Sequence, residues 1–271
     1  MSATDHVSRG ATWLAALTDN ASKAKGFPAS VQVVDAPLGE LPARYIAVVP
    51  DTDNAYPRAA GGEVGLVEGW ALAKAVRDIA AADAGNEHKR AVVAVIDVPS
   101  QAYGRTEEAL AIHQALAAAA EAYAAAREAG HPIVGLIVGK AMSGAFLAHG
   151  YQANRLIALD DAGVQVHAMG KQAAARITQR TVEGVEKLAE TITPMAYDIA
   201  SFDKLGLLFA RLSIGDADKP DANDLRQVRT TLDKAIADIG DDDSLASRLD
   251  AEGRAASVKV RERLRAQWAG D

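Results

Sequence analysis

The fold of this chain is expected to be decided by the stretch Pro132-Ile133-Val134-Gly135-Leu136-Ile137-Val138-Gly139-Lys140-Ala141-Met142-Ser143-Gly144-Ala145. Its first seven residues form an almost unbroken apolar run, which is typical of a strand buried on both faces. A short apolar helix follows over residues 146–150. The turn between them presents backbone N–H groups that can hold a carboxylate, a phosphate or a developing oxyanion. The same glycines also suit a tight turn that only allows close packing.

A second strand–turn–helix unit precedes this one. The run 91–98 predicts a strand, 99–104 a turn, and the alanine-rich stretch 106–129 a long helix capped by Thr106 and ended by Gly130. Further strands are predicted at 30–35, 43–50, 154–159 and 163–167. Strands that alternate with helices in this way favour an α/β fold with a parallel sheet core.

Beyond Gly170 the pattern is helical. Helices are predicted at 173–177, 182–192, 197–205 and 225–239, followed by a charge-rich helix that starts near 241–244 and ends near Trp268. We interpret the last helix as a solvated one. We therefore expect a single domain over residues 1–271, with an N-terminal helical arm over 1–30 and C-terminal helices over 223–271.

Composition excludes several classes of function. The formal net charge of −7 argues against nucleic acid as the main partner, because phosphate binding favours a basic face. The absence of cysteine excludes disulfides, cysteine nucleophiles and thiolate metal sites. The six histidines are scattered, without HExxH spacing, so no metal site is expected. Residues 1–5 lack the apolar core of a signal peptide and no run is long enough to span a bilayer, so we expect a cytoplasmic protein.

The sequence shows no arrangement of residues that is typical of nucleophilic catalysis. The sequence contains no GxSxG elbow, no Walker A motif and no GxGxxG after a strand. Ser143 is interpreted first as a helix cap, and His149 as a packed core histidine. His167 lies where a strand runs into a loop and is a candidate acid or base. Arg58 beside a glycine pair either meets a phosphate or carboxylate, or is an ion-paired surface residue.

The loops 99–104 and 139–145 both follow predicted parallel strands. We expect them to open at the same, carboxyl-terminal edge of the sheet, where both could present backbone N–H groups. This arrangement suits a reaction in which negative charge grows on an oxygen and no protein nucleophile is needed.

These loops carry a family resemblance. Asp97-Val98-Pro99-Ser100-Gln101-Ala102-Tyr103-Gly104, a long helix and the turn at 139–145 resemble the D-x-P-G loop and G-x-x-x-S-G-A turn of the acyl-CoA carboxyltransferases over roughly residues 45–215. The stretches 62–73 and 139–146 are more closely similar to the gamma subunits of biotin-independent malonate decarboxylases. The resemblance implies a crotonase/ClpP-like fold of repeated β-β-α units, with a parallel sheet core and a helical C-terminal extension.

The resemblance also implies an activity. The chain would correspond to the C-terminal half of a carboxyltransferase and would pair with a beta subunit of the same fold, with the active site between them. The substrate would be a malonyl thioester on the phosphoribosyl-dephospho-CoA arm of an acyl carrier subunit, and the products acetyl thioester and CO₂. No cofactor bound by this chain itself is expected.

Site residues follow from the same resemblance. Backbone N–H groups of the first loop would form an oxyanion hole, the second turn would polarise the pocket, and Tyr103 and His167 are the candidates for protonating the enolate. The expected catalytic residues are Ser100, Gln101, Ala102, Tyr103, Ser143, Gly144 and His167, and the expected substrate-binding residues are Gly139, Lys140, Ala141, Met142 and Arg58. The sequence departs from the family pattern at Ser100, where relatives have glycine, and at Lys140 and Met142, where many have small residues.

Two other functions remain open at this point. A self-contained crotonase-type thioester hydratase or hydrolase would need positioned carboxylates, for which Glu107 and Glu108 are the near candidates. A non-catalytic structural subunit of a carboxyltransferase complex would use its glycine turn only to pack against a partner.

Overall fold

A computed structural model describes residues 8–269 of the chain, apart from the side chain of Glu252. The strands are β1 (Val31–Leu38), β2 (Leu41–Val48), β3 (Ala91–Val98), β4 (Ile133–Met142), β5 (Arg155–Leu159), β6 (Gln165–His167) and β7 (Ala210–Leu212). The helices are α1 (Arg9–Leu17), α2 (Leu66–Ala82), α3 (Arg105–Ala109), α4 (Ile112–Glu128), α5 (Ser143–Ala148), α6 (Lys171–Ile177), α7 (Val182–Ala189), α8 (Ile199–Lys204), α9 (Ala222–Ile239) and α10 (Ala255–Trp268). Residues 1–7 lie outside the described residues. They include part of the predicted N-terminal arm and residues 1–5, which are expected to lack the apolar core of a signal peptide.

The strands form one sheet in the order β1-β2-β3-β4-β5-β7. β1 and β2 pair antiparallel, and each later pair in this order is parallel. β4 pairs with β5 along its first half and with β6 along its last three residues, Lys140–Met142. The predicted α/β class with a parallel sheet core is therefore confirmed.

The sheet core lies along β3 and β4. Residues 91–96 and the apolar residues of 133–138 are fully buried, as expected for strands covered by helices on both faces. β4 crosses the middle of the sheet and runs directly into α5. The turn predicted to organise the chain is therefore held between two buried elements.

The N-terminal helix α1 packs on the sheet. Trp13 is fully buried, and its indole N–H donates to the Ala217 carbonyl at 2.8 Å. This contact links the start of the described chain to the loop before α9. The division into an arm, a domain and C-terminal helices stays a prediction.

The long helix predicted over 106–129 is broken. α3 ends at Ala109, and α4 starts at Ile112 after Ala111, which has a left-handed backbone at φ 62°. The N-terminal cap position is Gly104 rather than Thr106. The final helix begins at Ala255 rather than near 241–244, and within it Val260, Leu264 and Trp268 are exposed.

Among the helices within residues 8–269, none combines the length and the apolar character that spanning a bilayer requires.

Helices α2 and α4 approach closely at Gly69. A Cβ at this position would lie 2.7 Å from the Ala115 carbonyl carbon and 2.9 Å from the Ala115 Cβ. Because the obstacle is mainly backbone, Gly69→Ala is expected to push the helices apart and to lower the free energy of unfolding by about 2 kcal/mol. Urea unfolding measures this change. The control is Gly184→Ala in α7, where a Cβ would make only ordinary contacts, the nearest at 3.4 Å. Equal stabilities of the two variants would contradict the prediction.

Candidate active site

The structure brings the two expected loops together at the carboxyl edge of the sheet. The Gly144 N–H donates to the side-chain Oε1 of Gln101 at 2.7 Å, and the Gln101 backbone N–H donates to the Ser143 hydroxyl at 3.4 Å. The loop after β3 and the turn after β4 are therefore joined by bonds between side chain and backbone in both directions.

The loop after β3 is also held from its other side by Val64. The Val64 N–H donates to the Ser100 carbonyl at 3.1 Å, and the Ala102 N–H donates to the Val64 carbonyl at 2.9 Å. The Ala102 amide, one of the expected oxyanion donors, is thus already bonded within the chain. Ser100 has no positive φ, so a serine fits here without backbone strain.

Ser143 is not the helix cap that the sequence indicated. It is the first residue of α5, the capping position belongs to Met142, and the Ser143 hydroxyl accepts from Gln101 instead. Its φ is +52°, a left-handed conformation that a non-glycine residue adopts at a cost. Strained residues of this kind cluster at functional sites.

Asp97 is not among the expected site residues, but its side chain holds the turn after β4 in place. Its Oδ1 accepts the Lys140 N–H at 3.1 Å, and its Oδ2 accepts the Gly10 N–H of α1 at 3.3 Å. A Cβ on Gly139 would overlap the Asp97 carboxylate. Asp97 is the first residue of the D-x-P motif, and this motif was the sequence signal for it.

The residues before Ser143 support the site rather than line its cavities. Ala141 is fully buried, and Met142 is nearly so, packed beside Ala174 and Val185. The Lys140 side chain is exposed. These residues, with Gly139, are absent from the lining of both cavities described next.

A cavity of about 350 Å³, the Arg58 cleft, lies beside the first loop. It is lined by Pro57, Arg58, Gly61, Glu63, Ser100, Gln101, Ala102 and Tyr103. The Arg58 Nε lies 4.0 Å from the buried carboxylate of Glu107. This carboxylate offsets part of the positive charge of the cleft. No sequence pattern predicted Glu63 at this cleft, although it lies close to Arg58 in the chain.

A larger and more apolar cavity of about 540 Å³, the His167 cavity, lies beside the second turn. Its lining includes Ser143, Gly144 and His167, together with apolar side chains such as Phe146, Leu147, Ile177, Met195 and Phe202. Tyr103 and His167 therefore line different cavities. The 101–144 contact lies between these cavities, because Gln101 lines one and Gly144 the other.

His167 is held firmly at the end of β6. Its ring stacks on Tyr197 with 3.9 Å between ring centroids, and its Nδ1 lies 2.9 Å from the Met169 carbonyl oxygen. Burial lowers the pKa of His167, while the bond to Met169 opposes this shift. Within residues 8–269, Nε2 has no hydrogen-bond partner. The imidazole is thus fixed through one nitrogen, and the other remains available.

The carboxylates required by the hydratase alternative are not paired in a cavity. Glu107 is buried beside Arg58, whereas Glu108 is exposed. Among the described residues, no group of three histidine, aspartate or glutamate side chains could hold a metal ion.

Comparison with known proteins identifies the family. The family model described as the malonate decarboxylase gamma subunit matches residues 59–268. The chain belongs to the malonate decarboxylase gamma-subunit family. A chain of a Pseudomonas malonate decarboxylase hetero-tetramer in complex with coenzyme A is 59% identical with a TM-score of 0.94, over 96% of this chain and 100% of that one. A chain of the Pseudomonas MdcD–MdcE hetero-dimer is 56% identical with a TM-score of 0.90, over 96% and 99%.

More distant relatives extend the picture. The malonyl-S-ACP:biotin-protein carboxyltransferase MADD of Malonomonas rubra is 35% identical over 154 residues, which are 56% of this chain and 53% of that protein. The chain thus spans about half the length of this relative. Transcarboxylase 12S shares the fold at 16% identity, with a TM-score of 0.63 over 84% of this chain and 41% of that one. The gamma-subunit family and its carboxyltransferase-like fold, which the sequence resemblance implied, are confirmed.

Proposed function

We propose that this chain, together with a beta subunit, decarboxylates a malonyl thioester carried by an acyl carrier subunit. The observation that carries the proposal is the family match over residues 59–268, supported by 59% identity to a malonate decarboxylase chain. The Pseudomonas MdcD–MdcE hetero-dimer supports a beta subunit as the partner. A phosphoribosyl-dephospho-CoA arm on the acyl carrier subunit is part of the proposal.

In the proposed reaction, the bond between the malonyl α-carbon and its free carboxylate breaks. The electron pair of that bond passes into the thioester as an enolate, CO₂ leaves, and one proton then adds to the α-carbon to give acetyl thioester. Charge grows on the thioester oxygen, so hydrogen-bond donors aimed at this oxygen lower the barrier. A cation paired with the departing carboxylate would oppose the reaction, which argues against exposed Lys140 as a direct ligand.

The geometry supports a site around the contact between residues 101 and 144. We assign positioning of the thioester to the loop Ser100–Tyr103 and to the turn Ser143–Gly144. Arg58 in its cleft suits a phosphate of the prosthetic arm. The partner subunit would close the site, since both cavities open at the surface of this chain.

Reconstitution tests this function. CO₂ release from the malonyl thioester is measured with this chain alone, with the beta subunit alone, and with both together. Activity only in the mixture is expected for a shared site. Activity of this chain alone would favour a self-contained crotonase-type enzyme, and full activity of the partner alone would leave this chain a structural role.

His167 is the residue that we expect to return the proton to the α-carbon. It lies beside Gly144 in an apolar cavity, where Nε2 is available to take up a proton from water and pass it to the α-carbon, whereas Tyr103 is more than half exposed in the other cavity. His167→Ala is expected to lower turnover of the reconstituted complex about a hundredfold, and Tyr103→Phe to leave it near the wild-type level. His113→Ala on the exposed face of α4 is the control. The reverse order of effects would make Tyr103 the donor.

A further inference from the structure

The side chain of Gln101 lies where the two cavities meet. Its Oε1 accepts the Gly144 N–H at 2.7 Å, and the residue itself lines the Arg58 cleft. An N–H group can be accepted only by the oxygen of a carboxamide, so this bond fixes which end of the side chain faces Gly144. The NH₂ group is therefore turned away from Gly144.

That NH₂ group is an unused donor. Within the part of the chain that the structure describes, Gln101 Nε2 donates no hydrogen bond, and it is absent from the buried unpaired side-chain atoms. A donor that is unpaired and not buried can reach a ligand that lies across the contact between residues 101 and 144, with its acceptor oxygen on the Gln101 side and the rest of the ligand toward the His167 cavity. The family resemblance implied a role only for the backbone N–H of Gln101. That N–H donates to the Ser143 hydroxyl instead.

The main chain around Gln101 keeps this donor in place. The Gln101 carbonyl accepts from the Ser100 hydroxyl at 2.7 Å and from the Tyr103 N–H at 3.1 Å. Glycine at position 144 leaves room for this bond, because a Cβ there would overlap Gln101 Oε1 and displace it. The carboxamide is thus preorganised by both loops, which is the condition for a donor to act on a transition state.

We propose that the Gln101 NH₂ group donates a hydrogen bond to the thioester oxygen of the malonyl group. This inference rests on the function proposed above. As the bond to the departing carboxylate breaks, its electron pair moves toward this oxygen, and the NH₂ group stabilises the growing charge while CO₂ leaves. A neutral donor suits this task better than Arg58, because a cation would also attract the carboxylate that must lose its charge.

Gln101→Glu tests the proposal in the complex reconstituted with the beta and acyl carrier subunits. Glutamate keeps an oxygen for the Gly144 N–H, so folding and assembly are expected to be retained. An ionised carboxylate cannot donate and repels the growing charge, so turnover near pH 7 is expected to fall about a hundredfold, mainly in kcat. The ratio of variant to wild-type turnover is expected to rise as the pH is lowered, since a protonated carboxyl regains an O–H donor.

Controls separate this role from a structural one. Gln114→Glu makes the same change of charge on the exposed face of α4 and is expected to keep wild-type turnover at every pH. Gln101→Met, of similar length but with neither the NH₂ donor nor the oxygen that accepts the Gly144 N–H, is expected to be slow without recovery at low pH; wild-type turnover of this variant overturns the proposal even should Gln101→Glu fail to assemble. Melting temperature and gel filtration check each variant.

The outcomes distinguish the inference from the function on which it rests. Wild-type turnover of Gln101→Glu or Gln101→Met in an active complex overturns the inference alone. A pH profile of Gln101→Glu parallel to that of the wild type also overturns it. A wild-type complex that releases no CO₂ overturns the proposed function, and the inference with it.

Discussion

Gly139→Ala is expected to lower the free energy of unfolding by about 3–4 kcal/mol and to abolish CO₂ release by the complex. A methyl group at this position would overlap the carboxylate of Asp97, which accepts the Lys140 N–H at 3.1 Å and the Gly10 N–H at 3.3 Å. Hydrogen bonds to a charged group contribute about 1.5–3 kcal/mol each, and the substitution disturbs both. Because Gly139 lies in the central strand β4, between its pairings with β5 and β6, the neighbouring strands limit how far its backbone can move.

The loss of activity follows from the position of Asp97, next to the loop that carries the expected site residues. Asp97 is the next-to-last residue of β3, directly before the loop that carries Ser100 and Gln101. A carboxylate displaced by the new methyl group shifts this loop and breaks its register with the turn at Ser143. The hydrogen bond between the Gly10 N–H of α1 and Asp97 is disturbed as well.

Urea unfolding and the CO₂ assay measure the two effects. Gly85→Ala is the control, since no atom lies within 4 Å of a Cβ there. Adding Asp97→Ala to Gly139→Ala removes the overlap, so the two substitutions are expected to cost clearly less together than the sum of their separate costs. Additive costs, or a Gly139→Ala protein within about 1 kcal/mol of the wild type, would contradict this account.

The sheet core and the meeting of the two loops could be predicted from the sequence. The runs at 91–98 and 132–138 are apolar at nearly every position and rich in β-branched residues, which is typical of strands covered on both faces. Parallel strands then place both following loops at one edge. The resemblance to the gamma subunits used the same two loops, and the family match confirms it.

The local backbone conformation was harder to predict from the sequence. Alanine is the strongest helix former, so nothing in the run 106–129 marks Ala111 as left-handed. The break instead accompanies the packing of Glu107 beside Arg58 and of α4 along α2. The left-handed φ of Ser143 likewise has no local sequence signal.

The arrangement of the site could not be read from the sequence for a different reason. The bonds that decide it join Gln101 to Gly144 and Asp97 to Lys140, residues more than 40 positions apart. Motif spacing places such residues in neighbouring loops, but it does not say which amide is free. The bonded Ala102 amide and, within residues 8–269, the unpaired NH₂ group of Gln101 are therefore findings of the structure.

Stability is expected to fall as the pH is lowered from about 7 toward 4, because of the buried His149. This ring is fully buried in the core, with Nδ1 3.1 Å from the Tyr123 hydroxyl and Nε2 3.1 Å from the Val95 carbonyl. Its packing as a core histidine agrees with the interpretation from the sequence. Burial lowers the pKa of His149 to about 4, although the bond to Val95 opposes the shift.

The sign follows from where protons bind. Unfolded His149 takes up a proton near its ordinary pKa of about 6.5, whereas the folded protein resists protonation until the pH is close to 4. The contribution is therefore fully present above pH 6.5 and is lost as the pH falls through this window. The loss of stability, relative to pH values above this window, amounts to about 2 kcal/mol at pH 5 and about 3 kcal/mol at pH 4. Burial also lowers the pKa values of His131 and His167, so their contributions have the same direction.

Urea unfolding of the wild type and of His149→Gln between pH 4 and pH 8 isolates the contribution of this ring. The variant is expected to be less stable at pH 8, because it loses packing, but to show a slope against pH that is smaller by up to one proton. His113→Gln is the matched control, since His113 is exposed and should leave the slope unchanged. Tyr123→Phe is a second variant for comparison. It removes the hydroxyl beside Nδ1 of His149 but keeps the burial that lowers the pKa of His149. An unchanged slope in His149→Gln would mean that this histidine is not kept neutral by the fold.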